Sequence, residues 1–407
     1  MSEILFLCHR IPWPPDRGDK IRSFHILRAL SVMAPVHLAC FADGHEERQS
    51  ADEAGLNLAS FVIADKPKPM WWNGIRGLSS NKPVSLTAFE SGDIHDFVKR
   101  TLAEQDISCI FVFSGQMAQY IPDEFSGRIV MDFVDVDSAK FESYAANSSG
   151  PMQWIHRREG RLLAEFEKTI AHRVDHALFV SDAEAALFRD RSGIASSKIK
   201  AMGNGIDLDF YNPADVVSAE CEPGCPIILF TGQMDYPPNV EAVSSFCRQV
   251  MPQIRQSHPL AEFVVAGRTP TKEVRDLDGL NGTRVLGEVD DIRTWLKAAD
   301  LVVAPLRIAR GIQNKVLEAM AMGKAVVAST AAANGIEAEN GKHFLVAGSP
   351  EEEAAAAIRL LSDPELSQKL GSQAADMIRQ NYRWTDQLSR LPEYCGLEET
   401  LAMEAAE

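Results

Sequence analysis

The chain has 407 residues, 45% of them apolar, and carries a formal charge of −16. That length suits two ordinary domains, each able to bury a core. The acidic balance argues against nonspecific nucleic-acid binding, which draws its affinity from Lys and Arg against phosphates. Seven thinly spread cysteines, an odd number, do not form a disulfide framework. Cys221 and Cys225, the close pair, sit in a polar loop with no further Cys or His to complete a metal site.

The opening MSEILFLCHR has an acid at position 3 and too short an apolar run for a signal peptide. No stretch approaches the ~18 apolar residues of a spanning helix. The expected location is therefore cytoplasmic. Short β-branched runs follow at 4–8, 36–42, 61–64, 109–114, 128–134 and 177–181. A second set lies at 227–232, 262–267, 283–287, 301–306, 325–330 and 343–348. Continuous apolar runs alternating with helical patterns predict parallel strands buried on both faces, in doubly wound α/β domains. The Pro-rich, acidic stretch around 206–224 separates the two sets and reads as the linker.

Within the first half, HRIPWPPDRGDKIRSFHILRAL (9–30) runs from a strand into a helix, with Asp19 as the expected N-cap. Gly18 would let backbone approach a ligand closely. KPKPMWWNGIR (66–76) combines Trp71, Trp72 and three cations, a composition suited to anionic headgroups at a membrane interface. MDFVDVDSAKF (131–141) brings Asp132, Asp135 and Asp137 after a strand. Such a set could ligate Mg²⁺ or Mn²⁺, orient a hydroxyl, or only stabilise a loop. A helix over 151–173 has an apolar stripe, and its charges read as a solvated face. Pro392 breaks the weak helical pattern near the C-terminus.

In the second half, ARGIQNKVLEAMAMG (309–323) lies between two apolar runs. Ligands of open α/β sheets sit beyond the carboxyl ends of the strands, where Arg310 and Gly311 fall. The helix is expected to start near Ile312 or Gln313 and to stop at Gly323. Lys315 and Glu318 are three apart and share one face. A cation there suits a phosphate, and a carboxylate one turn on suits a sugar diol. A simple surface pair is the bland alternative, but LEAMAMG is too apolar for an exposed helix.

KVLEAMAMGKAVVAST (315–330) resembles the donor-site signature of GT-B glycosyltransferases, most closely family 4, the retaining enzymes. NGID (204–207), FTGQMDYPPN (230–239), VVAGR (264–268), LGEVDDI (286–292) and AADLVVAPLR (298–307) follow in that family's order. The resemblance implies a GT-B fold: two Rossmann-like domains facing each other across a cleft. The acceptor-binding domain would span 1–205 and the donor-binding domain 206–380. A helical tail, 381–407, would pack back on the first domain.

By position, Glu318 would hold the ribose, and Arg268 and Lys315 would face the pyrophosphate. The turn 285–289, ending at Val289, would meet the base through its backbone. Gly18 would face the donor from the first domain, and Asp135 or Asp137 would act near the reacting carbon. Three positions depart from the family, at two places. Arg310 stands where many relatives have a Glu, and Gln233 and Asn239 stand near an expected Arg and Lys. Phosphate-binding charge would then come from Arg268, Arg307, Arg310 and Lys315.

The resemblance implies a nucleotide-sugar donor, no metal cofactor, and a glycan or lipid-linked acceptor; the composition around Trp71 and Trp72 suits peripheral inner-membrane contact near such an acceptor, with an ordinary loop whose Trp residues pack into the core as the alternative. DFVDVDSAKF, with SFHILRAL and GQMDYPPN, is also similar to sugar transferases of PEP-CTERM/exosortase gene clusters, which implies exopolysaccharide or surface-glycan assembly. A GT-B sugar-nucleotide epimerase and a non-catalytic nucleotide-binding subunit are the alternatives. A dehydrogenase is disfavoured, because no G-x-G-x-x-G follows a strand.

Overall fold

The structure, a computed structural model, describes residues 2–42, 55–66, 82–309 and 311–397. Arg310, Trp71 and Trp72 lie outside the described residues. Two compact units make up the chain: Met1–Gly203 with Leu388–Glu407, and Asn204–Gln387.

The first unit holds a seven-stranded parallel sheet in the order β3-β2-β1-β4-β5-β6-β7. Its strands are β1 (Glu3–Cys8), β2 (Val36–Ala42), β3 (Ser60–Asp65), β4 (Ile107–Phe113), β5 (Arg128–Val134), β6 (His176–Phe179) and β7 (Ile199–Ala201). Strands β1 and β2 are almost wholly buried, as their unbroken apolar runs require. β7 escaped the sequence reading, because three residues carry too little pattern to stand out from a loop.

The second unit holds a six-stranded sheet, β10-β9-β8-β11-β12-β13. Its strands are β8 (Ile227–Thr231), β9 (Glu262–Ala266), β10 (Thr283–Gly287), β11 (Leu301–Ala304), β12 (Ala325–Ser329) and β13 (Leu345–Ala347). In both sheets the order reverses beside the first strand: between β1 and β4, and between β8 and β11. Such a reversal opens a crevice at the carboxyl ends of the strands.

Three expectations need correction. Residues 206–224 are not a free linker, since Ile206 and Val216 are buried in the second core and Ile206 bridges to Arg383. The units part at 203/204. Nor does the tail begin at 381. The helix Pro364–Asn381 and the short helix Trp384–Gln387 stay with the second unit, and the chain joins the first unit only from Leu388. There Pro392 opens the helix Leu391–Cys395, a place where its missing N–H costs nothing. Tyr394 packs its ring 5.0 Å from His176.

The helix Gly150–Arg173 is not merely a solvated face. Glu159 and Glu167 are buried and accept backbone N–H groups. Glu159 takes those of Val84 and Ser85, at 2.9 and 2.8 Å. Glu167 takes that of Ser138 at 2.9 Å and its hydroxyl at 2.6 Å. These carboxylates occupy the orphan amides at the starts of two other helices.

Candidate functional site

In the second unit the turns after β8, β9 and β10 are tied backbone to backbone. Gly232 donates to the Ala266 carbonyl at 3.1 Å, Met234 to Arg268 at 2.9 Å, and Gly267 to Gly287 at 2.7 Å. The approach at Gly267 is too close for a side chain, as a Cβ there would lie 1.6 Å from the Gly232 oxygen. A Cβ on Gly232 would in turn lie 2.9 Å from both Lys315 Nζ and Asn239 Nδ2. Glycine here keeps an ammonium within reach of exposed main chain, the arrangement an anionic ligand needs.

Lys315 comes from the helix Asn314–Ala321, which begins two residues later than the sequence suggested at the earliest and ends before Gly323, at φ 71°. Gly311, at φ 61°, makes the left-handed turn that leads into it. Gln313 at the N-cap offers no side-chain cap, so the helix relies on packing to begin. Val316, Leu317, Ala319 and Met320 bury the inner face. That burial carries Lys315 and Glu318 to the crevice edge.

Lys315 Nζ donates to Asn239 Oδ1 at 2.8 Å and lies 4.1 Å from the centre of the Phe230 ring. Asn239 donates to the Gln233 carbonyl at 2.8 Å. Burial pushes the Lys315 ammonium down to about 7, opposed by the Glu318 carboxylate. Burial pushes Glu318 upward, while the nearby Tyr211 hydroxyl and the charge of Lys315 pull it back. The two are thus not a plain surface pair. Asn239, one of the departures from the family pattern, serves as partner of the lysine.

Arg268 pairs with Glu288 at 2.9 Å, and both are well exposed, at 37% and 66%. The turn behind it has Gly287 at φ 74°, and Val289 packs half-buried against the core. Arg307, three residues past the end of β11, lies 3.5 Å from Glu353. Lys315, Glu318, Gly232 and Asn239 therefore converge. Arg268 and Val289 border them on neighbouring turns, and Arg307 is directed elsewhere.

Asp135 and Asp137 belong to the first unit. Val134, a β-branched residue at φ 69°, ends β5 in a tight turn closed by Asp135 N–H to the Phe133 carbonyl at 2.9 Å. Such a residue in the left-handed region is strained and marks a place worth a functional reading. Burial pushes the Asp135 carboxyl up to about 6, helped by Glu184, and its Oδ1 has no hydrogen-bond partner among the described residues. Asp137 lies 3.7 Å from Lys140. Asp132 instead pairs with Arg22 at 2.8 Å, wholly buried. The three aspartates do not converge on one point. Among the described residues no group of three His, Cys, Asp or Glu side chains could hold a metal ion.

Gly18 opens the helix Gly18–Met33, and the N-cap is Arg17 rather than Asp19. Asp19 instead collects His9 Nε2 at 3.2 Å, Arg10 Nε at 3.3 Å and Arg17 Nε at 3.4 Å. Those partners hold its carboxyl well below the usual range, against the upward push of burial. His9 stands at the end of β1, beside the reversal point, its ring stacked on Phe113 at 5.8 Å. Burial lowers its pKa, against the opposing pull of Asp19. The sequence analysis does not single out His9 or Tyr211, and it names Asn239 only as a departure from the family pattern. Only His9 had a visible signal, its place directly after the first strand.

Residues 225–363 match the family described as Glycosyl transferases group 1. Over 364 residues the chain is 29% identical to the phosphatidyl-myo-inositol mannosyltransferase of Propionibacterium freudenreichii, covering 86% of this chain and 83% of that protein. It is 28% identical over 235 residues to the lipopolysaccharide core biosynthesis mannosyltransferase LpcC of Rhizobium leguminosarum bv. viciae, covering 53% of this chain and 63% of the relative. Anabaena HepE in complex with UDP and glucose superposes with a TM-score of 0.66 at 15% identity, over 97% of this chain and 99% of that one. Sucrose-phosphate synthase from Thermosynechococcus elongatus superposes with a TM-score of 0.68 at 14% identity, over the whole of both chains.

Two doubly wound units with these neighbours define the GT-B fold. The chain has that fold, and its sequence is similar to group 1 glycosyl transferases over residues 225–363 and to a mannosyltransferase over most of its length, which supports an enzyme of the hexosyltransferase type. No helix among the described residues is long and apolar enough to cross a membrane.

Proposed function

We propose that the enzyme moves a sugar from a nucleotide-sugar donor to a hydroxyl of a glycan or lipid-linked acceptor, with retention, in surface-glycan or exopolysaccharide assembly. Mannose is the first sugar to test, because the relatives named above are mannosyltransferases. The observation that carries the reading is the half-buried ammonium of Lys315, held by Asn239 2.8 Å away over the side-chain-free Gly232.

The chemistry follows from where charge develops. Cleaving the bond from sugar to diphosphate leaves negative charge on the departing oxygens and oxocarbenium character on the sugar. A fixed cation aimed at the leaving group stabilises that state with little reorganisation. An incoming diphosphate raises the Lys315 pKa again, so the lysine is cationic when the donor is bound. Glu318 accepts the ribose hydroxyls, and the 285–289 turn meets the base through its main chain. In the first unit Asp135, rather than the lysine-paired Asp137, is the group we assign near the reacting carbon. The HepE complexes contain UDP, UDP-glucose or glucose, and the likeness supports a nucleotide-sugar donor. No metal cofactor is part of the reading. Membrane contact through Trp71 and Trp72, and kinship with the PEP-CTERM-associated transferases, belong to the same proposal.

A thermal-shift panel tests it: UDP, GDP, ADP and dTDP, each with manganese and with EDTA, on wild type and Glu318→Ala. Saturation at ~100 times the dissociation constant adds about 2.7 kcal/mol to the binding domain, a shift of roughly 2–4 °C. One diphosphate shifting wild type but not the variant, with or without metal, is the expected result. No shift with any diphosphate would remove the donor site. Vesicle flotation with anionic lipid, on wild type and a Trp71/Trp72→Ala double variant, tests the membrane contact.

A further inference from the structure

The strained turn after β5 leads into the helix Asp137–Ala146, whose N-cap, Val136, has no side-chain acceptor for the first amides. An aspartate one residue earlier is the ordinary substitute, since its carboxylate reaches N–H groups two or three residues on. Asp135 does not take the Ser138 amide. Ser138 N–H goes instead to Glu167 Oε1 at 2.9 Å, and the Ser138 hydroxyl to Glu167 Oε2 at 2.6 Å. Val136 N–H goes to Glu184 Oε2 at 2.8 Å, from the helix Asp182–Ser192. Val134 N–H, on the other side, goes to Asp132 Oδ1 at 3.1 Å. The turn is thus gripped by three carboxylates, while Asp135 Oδ1 has no hydrogen-bond partner among the described residues.

Glu167 stands 29 residues from Ser138 and is only 4% exposed. Burying a carboxylate is costly, and a local cap would have avoided it. The helix that carries it, Gly150–Arg173, is fitted closely to the turn: a Cβ on Gly160 would lie 3.2 Å from the Ser138 carbonyl oxygen. Gly160 and Glu167 lie two helical turns apart on one face, so the close approach and the carboxylate belong to one contact. A fold that needed only a cap would spend the aspartate at hand. We propose that Glu167 is a positioning residue for the transfer: by occupying both donors of Ser138 it keeps the Asp135 carboxyl uncapped for the substrate. The inference rests on the assignment of Asp135 near the reacting carbon and adds the residue that keeps it unspent.

The test begins without substrate, as a carboxyl-carbon NMR titration of the aspartate-labelled full chain. The Asp135 signal is the one missing in Asp135→Asn. Burial pushes this carboxyl up to about 6, helped by Glu184 and Asp137 and opposed by Lys140 and Arg22, all of which stay in place in every variant. Burial pushes Glu167 itself up to about 7, so Glu167→Gln, which keeps an acceptor oxygen for Ser138 N–H, is the control. Asp135 should titrate near 6 in wild type and in Glu167→Gln. In Glu167→Ala the freed Ser138 donors turn to Asp135, and its midpoint should fall, since a donor favours the charged form. Glu167→Asp, one methylene too short, should act alike if the alanine variant does not fold. Turnover is read alongside, as diphosphate released from GDP-mannose or UDP-glucose. Glu167→Ala should lose about tenfold in kcat at unchanged KM, and Glu167→Gln should restore it. An Asp135 titration unmoved in the alanine and aspartate variants would mark a plain cap and overturn the inference, even if both melt early. So would a moved titration with unchanged turnover. If Asp135→Asn is as active as wild type, the assignment of Asp135 fails and the inference with it. No diphosphate release by wild type would sink the proposed function and the inference together.

Discussion

The two units share an architecture and differ in what they place at its reversal point. At the ends of β8 and β9 the second unit presents glycine turns with no side chain, one ammonium and a carboxylate. At the ends of β1 and β5 the first unit presents an imidazole held by Asp19 and a strained turn carrying Asp135. The crevice built from main chain and a desolvated cation is suited to a diphosphate. The one built from an imidazole and carboxyl groups is suited to hydroxyls. One fold thus supplies both kinds of surface, and the turn residues decide which.

The sharpest way to break that contrast is Lys315→Ala. If the ammonium faces the departing diphosphate, turnover should fall about 10²–10³-fold, or ~3–4 kcal/mol. Stability should not fall with it. The folded-state pKa, about 7, lies below the ordinary lysine value, so the unfolded chain binds this proton more tightly. The charge therefore burdens the fold most below pH 7, and the burden lifts as pH rises from there towards 10. Thermal unfolding at pH 6.5 should show the variant at least as stable as wild type. A variant that unfolds early would make Lys315 a structural residue.

Asp135→Asn asks the same of the first unit. The expected loss is about tenfold to a hundredfold in turnover. The wild-type pH–rate profile should show an acid limb near pH 6 that the variant lacks, since burial holds this carboxyl up to about 6. The stability sign runs the other way. A carboxyl whose folded pKa is raised takes up its proton more readily in the folded chain, so stability drops as pH climbs from about 4 to 6. The variant should therefore melt higher than wild type at pH 7.5 and equally at pH 4. Lost activity with gained stability marks a group kept for function. Unchanged activity would return Asp135 to the loop-stabilising reading.

A gentler probe leaves the sequence untouched. A diphosphate favours protonated Lys315, so its affinity should fall as pH rises above 7, by up to about tenfold per unit for one linked proton. Calorimetry in buffers of different ionisation enthalpy should record proton uptake at pH 8. No uptake would mean that the diphosphate does not meet Lys315.

How much of this was legible in the sequence follows the same contrast. All twelve apolar runs became strands, because two-sided burial leaves an unbroken β-branched signal. The Lys315–Glu318 helix was legible for a similar reason: charges standing in a stretch too apolar to be exposed. Their partners were not. Asn239 lies 76 residues from Lys315. Polar pairings distant in sequence leave no periodic trace. The same blindness hid the role of Glu159 and Glu167, since a carboxylate taking backbone amides is spelled like one facing water.

Arg268 offers the smallest effect and the finest discrimination. The resemblance assigned it to the pyrophosphate, yet it is paired with Glu288 on an exposed turn. An exposed pair is worth only ~0–1 kcal/mol, so releasing the arginine costs little. If it swings to the diphosphate, Arg268→Ala should weaken nucleoside diphosphate binding about threefold, and Glu288→Ala should strengthen it slightly by removing the competing carboxylate. Opposite signs from the two neighbours are the result expected if the guanidinium exchanges one anion for the other. If both variants match wild type in calorimetric titration, the pair belongs to the surface and the diphosphate is held by Lys315 and main chain.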